Sequence, residues 1–167
     1  MGPGGERCEL DDLAFEPADP RRPPAAGLLE AMTAELNAVY GTVDRLQRPA
    51  LDPGELTPPG GAYLVANLSA GVVAGGGLRR LDETTAEIKR MYVEPAWRGR
   101  GVAGALLRAL EEEGCRLGFE VLRLDTGPRQ PHAKRLYLAA GYREIAAYND
   151  NPYADFWAEK VLAAALH

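Results

Sequence analysis

The chain has 167 residues, of which 46% are hydrophobic and 26% charged, as in soluble globular proteins with a buried core. A net charge of −5 without any basic run argues against a nucleic-acid partner, and no apolar stretch is long enough to span a bilayer. The two cysteines, Cys8 and Cys115, are too few for a disulfide framework and suit no metal site.

These bounds predict one domain over residues 1–167, with residues 1–7 frayed. The first ten residues lack the basic and apolar segments of a signal peptide, so we expect a cytoplasmic protein without a membrane partner. Sixteen arginines against three lysines, with many Ala, Gly and Pro residues, are typical of a GC-rich bacterial genome.

The first third of the chain predicts a weak strand followed by helices. The strand covers Cys8–Phe15, and a helix covers Pro24–Tyr40 because apolar residues recur there at helical spacing. Gly41 supplies the stop signal of that helix, and a second short helical turn is expected over Asp44–Leu51.

The middle of the chain predicts an antiparallel meander of three strands. These strands are Ala62–Leu68, Val72–Leu81 and Ala86–Val93, separated by short turn segments. Three consecutive glycines, Gly75-Gly76-Gly77, lie in the second strand, where they should weaken pairing or permit a bulge.

A glycine- and arginine-rich segment, Arg98–Gly104, follows the third of these strands. It opens a helix predicted over Gly101–Leu117, whose first N–H groups lack partners and carry partial positive charge. Because glycines let a large anion lie directly on the backbone, the segment predicts a phosphate cradle, most suited to a pyrophosphate.

The last part of the chain predicts a strand, a helix and two further strands. Phe119–Asp125 is a buried strand that a right-handed crossover places parallel to Ala86–Val93. A helix begins at Pro131, and strands are expected over Glu144–Tyr148 and Phe156–Leu162.

A dinucleotide-binding fold is one interpretation of the cradle. Gly99-x-Gly101-x-x-Gly104 matches its fingerprint, and Asp125 ends the next strand where a ribose-binding acid would sit. Five residues nevertheless separate strand and glycines, and the chain after Asp125 is too short for further strand–helix–strand units. These features disfavour a nucleotide-dependent oxidoreductase.

The chain resembles the GNAT superfamily of acyl-CoA-dependent N-acyltransferases more closely. Arg98-x-x-Gly101-x-Ala103 fits that family's signature Q/R-x-x-G-x-G/A. A second signature, N-x-x-A-x-x-L-Y-x-x-x-G-F, is matched by Ala133, Leu136, Tyr137, Gly141 and, conservatively, Tyr142, with Gln130 where Asn is usual. The aromatic-rich segment after Phe156 is similar to the closing hairpin of the family.

The resemblance implies an α/β (α+β) GNAT fold. Its mixed, mostly antiparallel sheet would have six to seven strands with flanking helices, and its parallel fourth and fifth strands would splay apart beside a bulge. Acetyl-CoA would be the cosubstrate, and no metal is expected. The implied cofactor-binding residues are Met91, Tyr92, Val93, Arg98, Gly99, Arg100, Gly101, Val102, Ala103, Gly104, Gln130 and Tyr137.

Transfer of an acetyl group to an amine needs an acid for the leaving thiolate and a base for the amine. By resemblance, Tyr137 is the acid candidate and Glu87 the base candidate, with His132 a weaker alternative base. In the family the corner formed by the first helix lines the acceptor pocket, which makes Glu30, Glu35 and Tyr40 candidate contacts, although ordinary surface or core roles are favoured for each.

The sequence leaves the acceptor open as a small-molecule or peptide amine. Acidic residues expected near the site, namely Glu87, Asp150 and Asp155, favour a cationic amine. A homodimer is an open alternative for the oligomeric state. The rival function is a non-catalytic CoA-binding sensor on the same fold, against which the presence of Glu87 and Tyr137 argues.

Overall fold

The computed structural model describes residues 10–41, 51–128 and 130–163. In these ranges the helices are α1 (Ala25–Tyr40), α2 (Val102–Arg116) and α3 (Pro131–Ala139). The strands are β1 (Ala14–Pro17), β2 (Gly61–Leu68), β3 (Gly71–Arg80), β4 (Thr85–Val93), β5 (Val121–Thr126), β6 (Arg143–Ile145) and β7 (Phe156–Val161). No helix in the described ranges is long and apolar enough to cross a bilayer. The frayed segment predicted over residues 1–7 and nearly all of the helical turn predicted over Asp44–Leu51 lie outside them.

All seven strands belong to one sheet with the order β1-β2-β3-β4-β5-β7-β6. Every neighbouring pair is antiparallel except β4 and β5, which are parallel because α2 carries the chain back across the sheet between them. The mixed, mostly antiparallel sheet, the meander β2-β3-β4 and the parallel pair confirm the predicted fold class.

The parallel pair β4 and β5 stays together over only three residue pairs. Thr85, Ala86 and Glu87 pair with Val121, Leu122 and Arg123, and no later residue of either strand pairs across this edge in the described chain. Since β4 runs on to Val93 and β5 to Thr126, the two strands separate toward their carboxyl ends.

A bulge in β4 lies just beyond this point of separation. Tyr92 pairs with Gly75 and Lys89 with Gly77, so Arg90 and Met91 together face the single residue Gly76 on β3. Arg90 has a φ of 58°, a left-handed conformation that is uncommon for residues other than glycine. The bulge predicted for the glycine triplet is therefore present, with the extra residue on β4.

The glycine triplet of β3 is required by packing on both faces of the sheet. A Cβ on Gly75 would lie 2.3 Å from the Tyr63 hydroxyl oxygen, and one on Gly77 would lie 2.8 Å from Leu56. On Gly76 it would approach Met91 to 3.0 Å. The triplet thus lets large side chains pack directly on the strand that supports the bulge.

Two apolar clusters cover the two faces of the sheet. One contains the buried stripe of α2, which is Val102, Leu106, Leu107 and Leu110. The other packs α1 through Leu28 against Tyr63, Val65 and Tyr92. Both helices are thereby fixed on either side of the separated strand ends.

Two element boundaries differ from the predictions by three residues or more. β1 begins at Ala14 rather than Cys8, because Leu10–Asp12 form a turn in which the Leu13 N–H donates to the Leu10 carbonyl. β6 ends at Ile145 rather than Tyr148, since the Tyr148 side chain turns inward to donate a hydrogen bond to Glu87. At Tyr148 a side-chain hydrogen bond to the buried Glu87 therefore takes the place of the predicted end of β6.

We expect Gly75→Ala to lower the free energy of unfolding by about 1–3 kcal/mol, because the buried Tyr63 ring cannot move away from the new methyl group. Gly27→Ala on α1, where a Cβ meets nothing within 4 Å, is the matched control and should raise it by about 0.5–1 kcal/mol. Urea unfolding of both variants measures the difference. Equal stability of Gly75→Ala and the parent would contradict the packing described here.

Candidate active site

A cavity of about 820 Å³, termed here the large cavity, opens where β4 and β5 separate. Its walls are the end of β4, the first turn of α2, one face of α1 and the start of α3. The predicted cofactor-binding residues in its lining are Met91, Tyr92, Val93, Arg98, Gly99, Gly101, Val102, Ala103, Gly104, Gln130 and Tyr137. Arg100 is not in this lining; it is exposed, and its guanidinium lies 5.0 Å from the centre of the Trp97 ring.

The turn before α2 has the backbone geometry that an anion cradle needs. Gly99 and Gly101 adopt φ values of 74° and 88°, which glycine tolerates without strain. The first N–H–to–carbonyl bond of α2 runs from Ala105 to Gly101, so the amides of Val102, Ala103 and Gly104 precede the hydrogen-bonded ladder. These amides border the large cavity at the positive end of the helix.

The Arg98 side chain is engaged by α1. Its Nη1 and Nη2 atoms donate to the two carboxylate oxygens of Glu35 at 2.8 and 2.6 Å, and its Nε donates to the Val93 carbonyl at 2.9 Å. This pairing lowers the pKa of Glu35 and raises that of Arg98. Arg98 therefore ties α1 to the end of β4. The sequence carried no signal for this, because the partners are 63 residues apart.

Tyr137 lies at the narrow end of the large cavity. Its hydroxyl is 3.7 Å from the Met91 sulfur, and its ring packs edge-on against Tyr142. Burial, with a smaller contribution from the negative charge of Asp125, raises the pKa of Tyr137 to about 12. The hydroxyl consequently remains protonated at neutral pH and can donate a proton.

A second cavity of about 360 Å³, termed the small cavity, adjoins the first. The two share part of their lining, namely Met32, Leu36, Met91, Gln130, Ala133 and Tyr137. The remaining lining of the small cavity is mostly polar and includes Arg79, Lys89, Arg90, Asp125, Asn149 and Asn151. Tyr137 thus stands where a ligand in one cavity would meet a ligand in the other.

Glu87 lies beneath the small cavity and lines neither cavity. It is completely buried, and its Oε1 accepts a hydrogen bond from Arg79 at 2.7 Å and lies 3.2 Å from the Lys89 Nζ. Its Oε2 accepts from the Tyr148 hydroxyl at 2.5 Å and from the Asn149 amide at 3.4 Å. Burial, followed by this carboxylate, raises the pKa of Tyr148. Glu87 therefore organises a buried cluster, and donors already occupy both of its oxygens.

Asp125 is the carboxylate that lines the small cavity. Its side chain accepts hydrogen bonds from Asn149 at 2.6 Å and Asn151 at 3.3 Å, and it lies 3.8 Å from the Lys89 Nζ. Sequence reasoning considered Asp125 only as a ribose-binding acid. Its position at the end of the strand beside the separated edge was the signal that could have identified it.

The other candidate residues either lie beside the cavities or are not part of their lining. The Gln130 side chain accepts a hydrogen bond from Thr126 at 3.1 Å beside both cavities, and the exposed His132 contacts Arg135 at the rim of the large one. Three exposed carboxylates, Glu30, Asp150 and Asp155, line neither cavity. The Tyr40 side chain lies outside the described part of the chain. Within the described part no group of His, Cys, Asp and Glu is arranged to hold a metal ion.

Comparison with known proteins gives one family. Residues 28–142 match the model of the Acetyltransferase (GNAT) family. The uncharacterized N-acetyltransferase YjgM of Escherichia coli is 34% identical over 122 residues, which are 66% of this chain and 72% of that protein. The IAA acetyltransferase of Azospirillum brasilense is 33% identical over 111 residues, which are 64% of this chain and 72% of that protein.

A solved structure has the same fold. The GNAT family acetyltransferase of Elizabethkingia anophelis, determined with acetyl-CoA bound, superimposes with a TM-score of 0.65 at 18% identity. The alignment covers 91% of this chain and 99% of that one.

Proposed function

Because this chain belongs to the GNAT acetyltransferase family and is an acetyl-CoA-dependent N-acetyltransferase, we propose that it transfers the acetyl group directly to a primary amine, with both substrates bound together. The observation that carries this mechanism is the meeting of the two cavities at Tyr137. Acetyl-CoA supplies the acetyl group as a thioester, and the large cavity suits a long, narrow cosubstrate.

The cosubstrate is held mainly by backbone groups. The amides between Gly99 and Gly104 bind the diphosphate, since the helix N-terminus presents N–H groups and partial positive charge to the large cavity. The unpaired edge of β4 from Met91 to Val93 binds the pantetheine arm as an added strand would. Arg98 acts by fixing this edge to Glu35, and Arg100 adds positive charge at the rim.

Tyr137 protonates the leaving sulfur. At neutral pH its hydroxyl keeps its proton, because its pKa is raised to about 12. A thiolate expelled into the same buried space has a raised pKa as well, since burial disfavours every charged form, and this lessens the mismatch between acid and base. Tyr137 lines both cavities, and its hydroxyl faces Met91, which lines both as well; this supports Tyr137 as the proton donor.

Asp125 takes the proton of the amine. The ammonium form of the substrate first releases one proton to solvent. The neutral amine nitrogen then forms the new bond to the acetyl carbon, the carbon–sulfur bond breaks, one proton passes from nitrogen to Asp125 and one passes from Tyr137 to sulfur. Asp125 is favoured over Glu87 because its side chain borders the small cavity, whereas the fully buried Glu87 lines neither cavity. Glu87 instead positions Arg79, Lys89 and Tyr148.

Ala103→Leu should weaken CoA binding by at least about tenfold, which corresponds to ~1.4 kcal/mol, because its side chain fills the space above the amides. Isothermal titration with CoA measures the affinity. The control Ala38→Leu makes the same change on the exposed side of α1, away from both cavities, and should bind CoA as the parent does. Parental affinity in Ala103→Leu would place the diphosphate elsewhere.

Tyr137→Phe should lower kcat by about 10²–10⁴-fold, the usual contribution of a general acid, while the affinity for CoA stays within a factor of about two. Steady-state release of CoA thiol and titration with CoA give the two quantities. Tyr142→Phe removes a neighbouring hydroxyl that points to Glu111 instead, and it should retain parental turnover. Equal rates in Tyr137→Phe and the parent would remove Tyr137 from the mechanism.

Comparison of Asp125→Asn with Glu87→Gln should separate an effect on the reaction rate from an effect on the stability of the fold. We expect Asp125→Asn to lower kcat/KM for the amine by about 10²-fold or more. Glu87→Gln should lower the free energy of unfolding by about 1–3 kcal/mol, less than for a fully buried pair because Arg79 and Lys89 remain partly in water. The reverse pattern, an active Asp125→Asn and a stable but inactive Glu87→Gln, would return the base to Glu87.

A further inference from the structure

We propose that the acceptor is a small amine that also carries a carboxylate, as an α-amino acid does, and that Lys89 and Arg90 bind this carboxylate in the small cavity. The inference rests on the proposed function, because it names the class of amine that reaches Tyr137. It narrows the expectation of a cationic amine, which included amino acids, since Glu87, Asp150 and Asp155, on which that expectation depended, line neither cavity.

The charges around the small cavity are mostly positive. Among the described residues of its lining, Arg79, Lys89 and Arg90 are cationic and Asp125 is the one carboxylate. The Arg79 and Lys89 side chains are 26% and 22% exposed, whereas Asp125 is 8% exposed and Glu87 is fully buried. Glu55, which is 44% exposed, also lies 3.5 Å from Arg79 but is not part of this lining. The excess of cations in the lining favours an anionic group on the ligand.

The strand register keeps these cations in place. Arg79 on β3 is directly opposite Glu87 on β4, and Lys89 follows Glu87 by two residues on the same face of the strand. Both side chains contact the Glu87 Oε1 atom. A carboxylate that binds here meets ammonium and guanidinium groups whose ordering is already achieved in the free protein, which lowers the entropic cost of binding.

The bulge in β4 adds Arg90 to the same cavity. In a regular strand Lys89 and Arg90 would point to opposite faces, yet both line the small cavity. The left-handed conformation of Arg90, with φ 58°, breaks the regular alternation of the strand at this position. Two adjacent cationic residues therefore border one cavity, where a guanidinium can bind a carboxylate through two parallel hydrogen bonds.

The size and the remaining charge of the small cavity indicate the rest of the acceptor. Its volume of about 360 Å³ is at the lower end of ligand sites, which suits a small molecule better than a folded protein. Asp125, on the opposite strand, is available for the ammonium group before transfer. One carboxylate for an ammonium and adjacent cations for a carboxylate match the charges of a zwitterion.

The test compares each of the twenty L-amino acids with its amide, which keeps the amine but lacks the negative charge. Release of CoA thiol from acetyl-CoA is measured for both sets, together with polyamines. We expect at least one amino acid to be a substrate and its amide to have a kcat/KM lower by about 10²-fold, because two charge-assisted contacts are lost.

Variants locate the contact on the protein. Arg90→Gln and Lys89→Gln should each raise KM for the amino acid by about tenfold or more and leave the affinity for CoA unchanged, while Arg90→Lys should recover part of the loss. Arg116→Gln, which removes an exposed arginine of α2 far from both cavities, is the matched control. The melting temperatures of all variants identify any variant that fails to fold. If Lys89→Gln fails to fold, Arg90→Lys remains informative.

The proposal is overturned if the amides or the polyamines are turned over as well as the amino acids, or if no amino acid is a substrate. It is also overturned if well-folded Arg90→Gln and Lys89→Gln keep the parental KM. Failure of the proposed function is distinct from these results: in that case CoA does not bind to the parent, or Ala103→Leu leaves CoA binding unchanged.

Discussion

The loss of pairing between β4 and β5 beyond Glu87 is the constraint on which the site depends. Three residue pairs hold the strands together, and the bulge at Arg90 then bends β4 away from its neighbour. The separation leaves backbone groups of β4 without strand partners beside the N-terminus of α2, and it opens the space that Tyr137 closes from the side of α3. A continuous sheet would fill this space with ladder hydrogen bonds and leave no room for a cosubstrate.

The bulge and the strand separation together shape both cavities. On one side they give the large cavity an open strand edge, and on the other side Lys89 and Arg90 border the small cavity. The glycine triplet of β3 accommodates the bulge, because the single residue Gly76 lies opposite two residues of β4. In the mechanism proposed above, this one break in register couples the placement of the acetyl donor to that of the amine.

Local signals made much of the fold predictable. Apolar segments bounded by short turns identified β2, β3 and β4, and the glycine pattern identified the turn before α2, since these features depend on neighbours in sequence. The contacts that decide side-chain roles were not predictable. Arg98 pairs with Glu35 across 63 residues, and Glu87 is buried under Tyr148 and Asn149, which come 61 and 62 residues later. Such contacts depend on the assembled sheet, and no periodicity reports them.

Lys89 combines a structural role with a proposed binding role, and this combination affects how substrate preference could diverge among related enzymes. Lys89 is a counter-ion for the buried Glu87 and, in the mechanism proposed here, a ligand for the acceptor. A replacement that changes selectivity at this position also removes a neutralising charge from the interior, so it carries a folding penalty. The loop residues Asn151 and Tyr153 border the same cavity, and Asn151 donates a hydrogen bond to Asp125. We therefore expect substitutions that change the acceptor to accumulate first in that loop. Substitutions at Lys89 in β4 should follow later, together with changes at position 87.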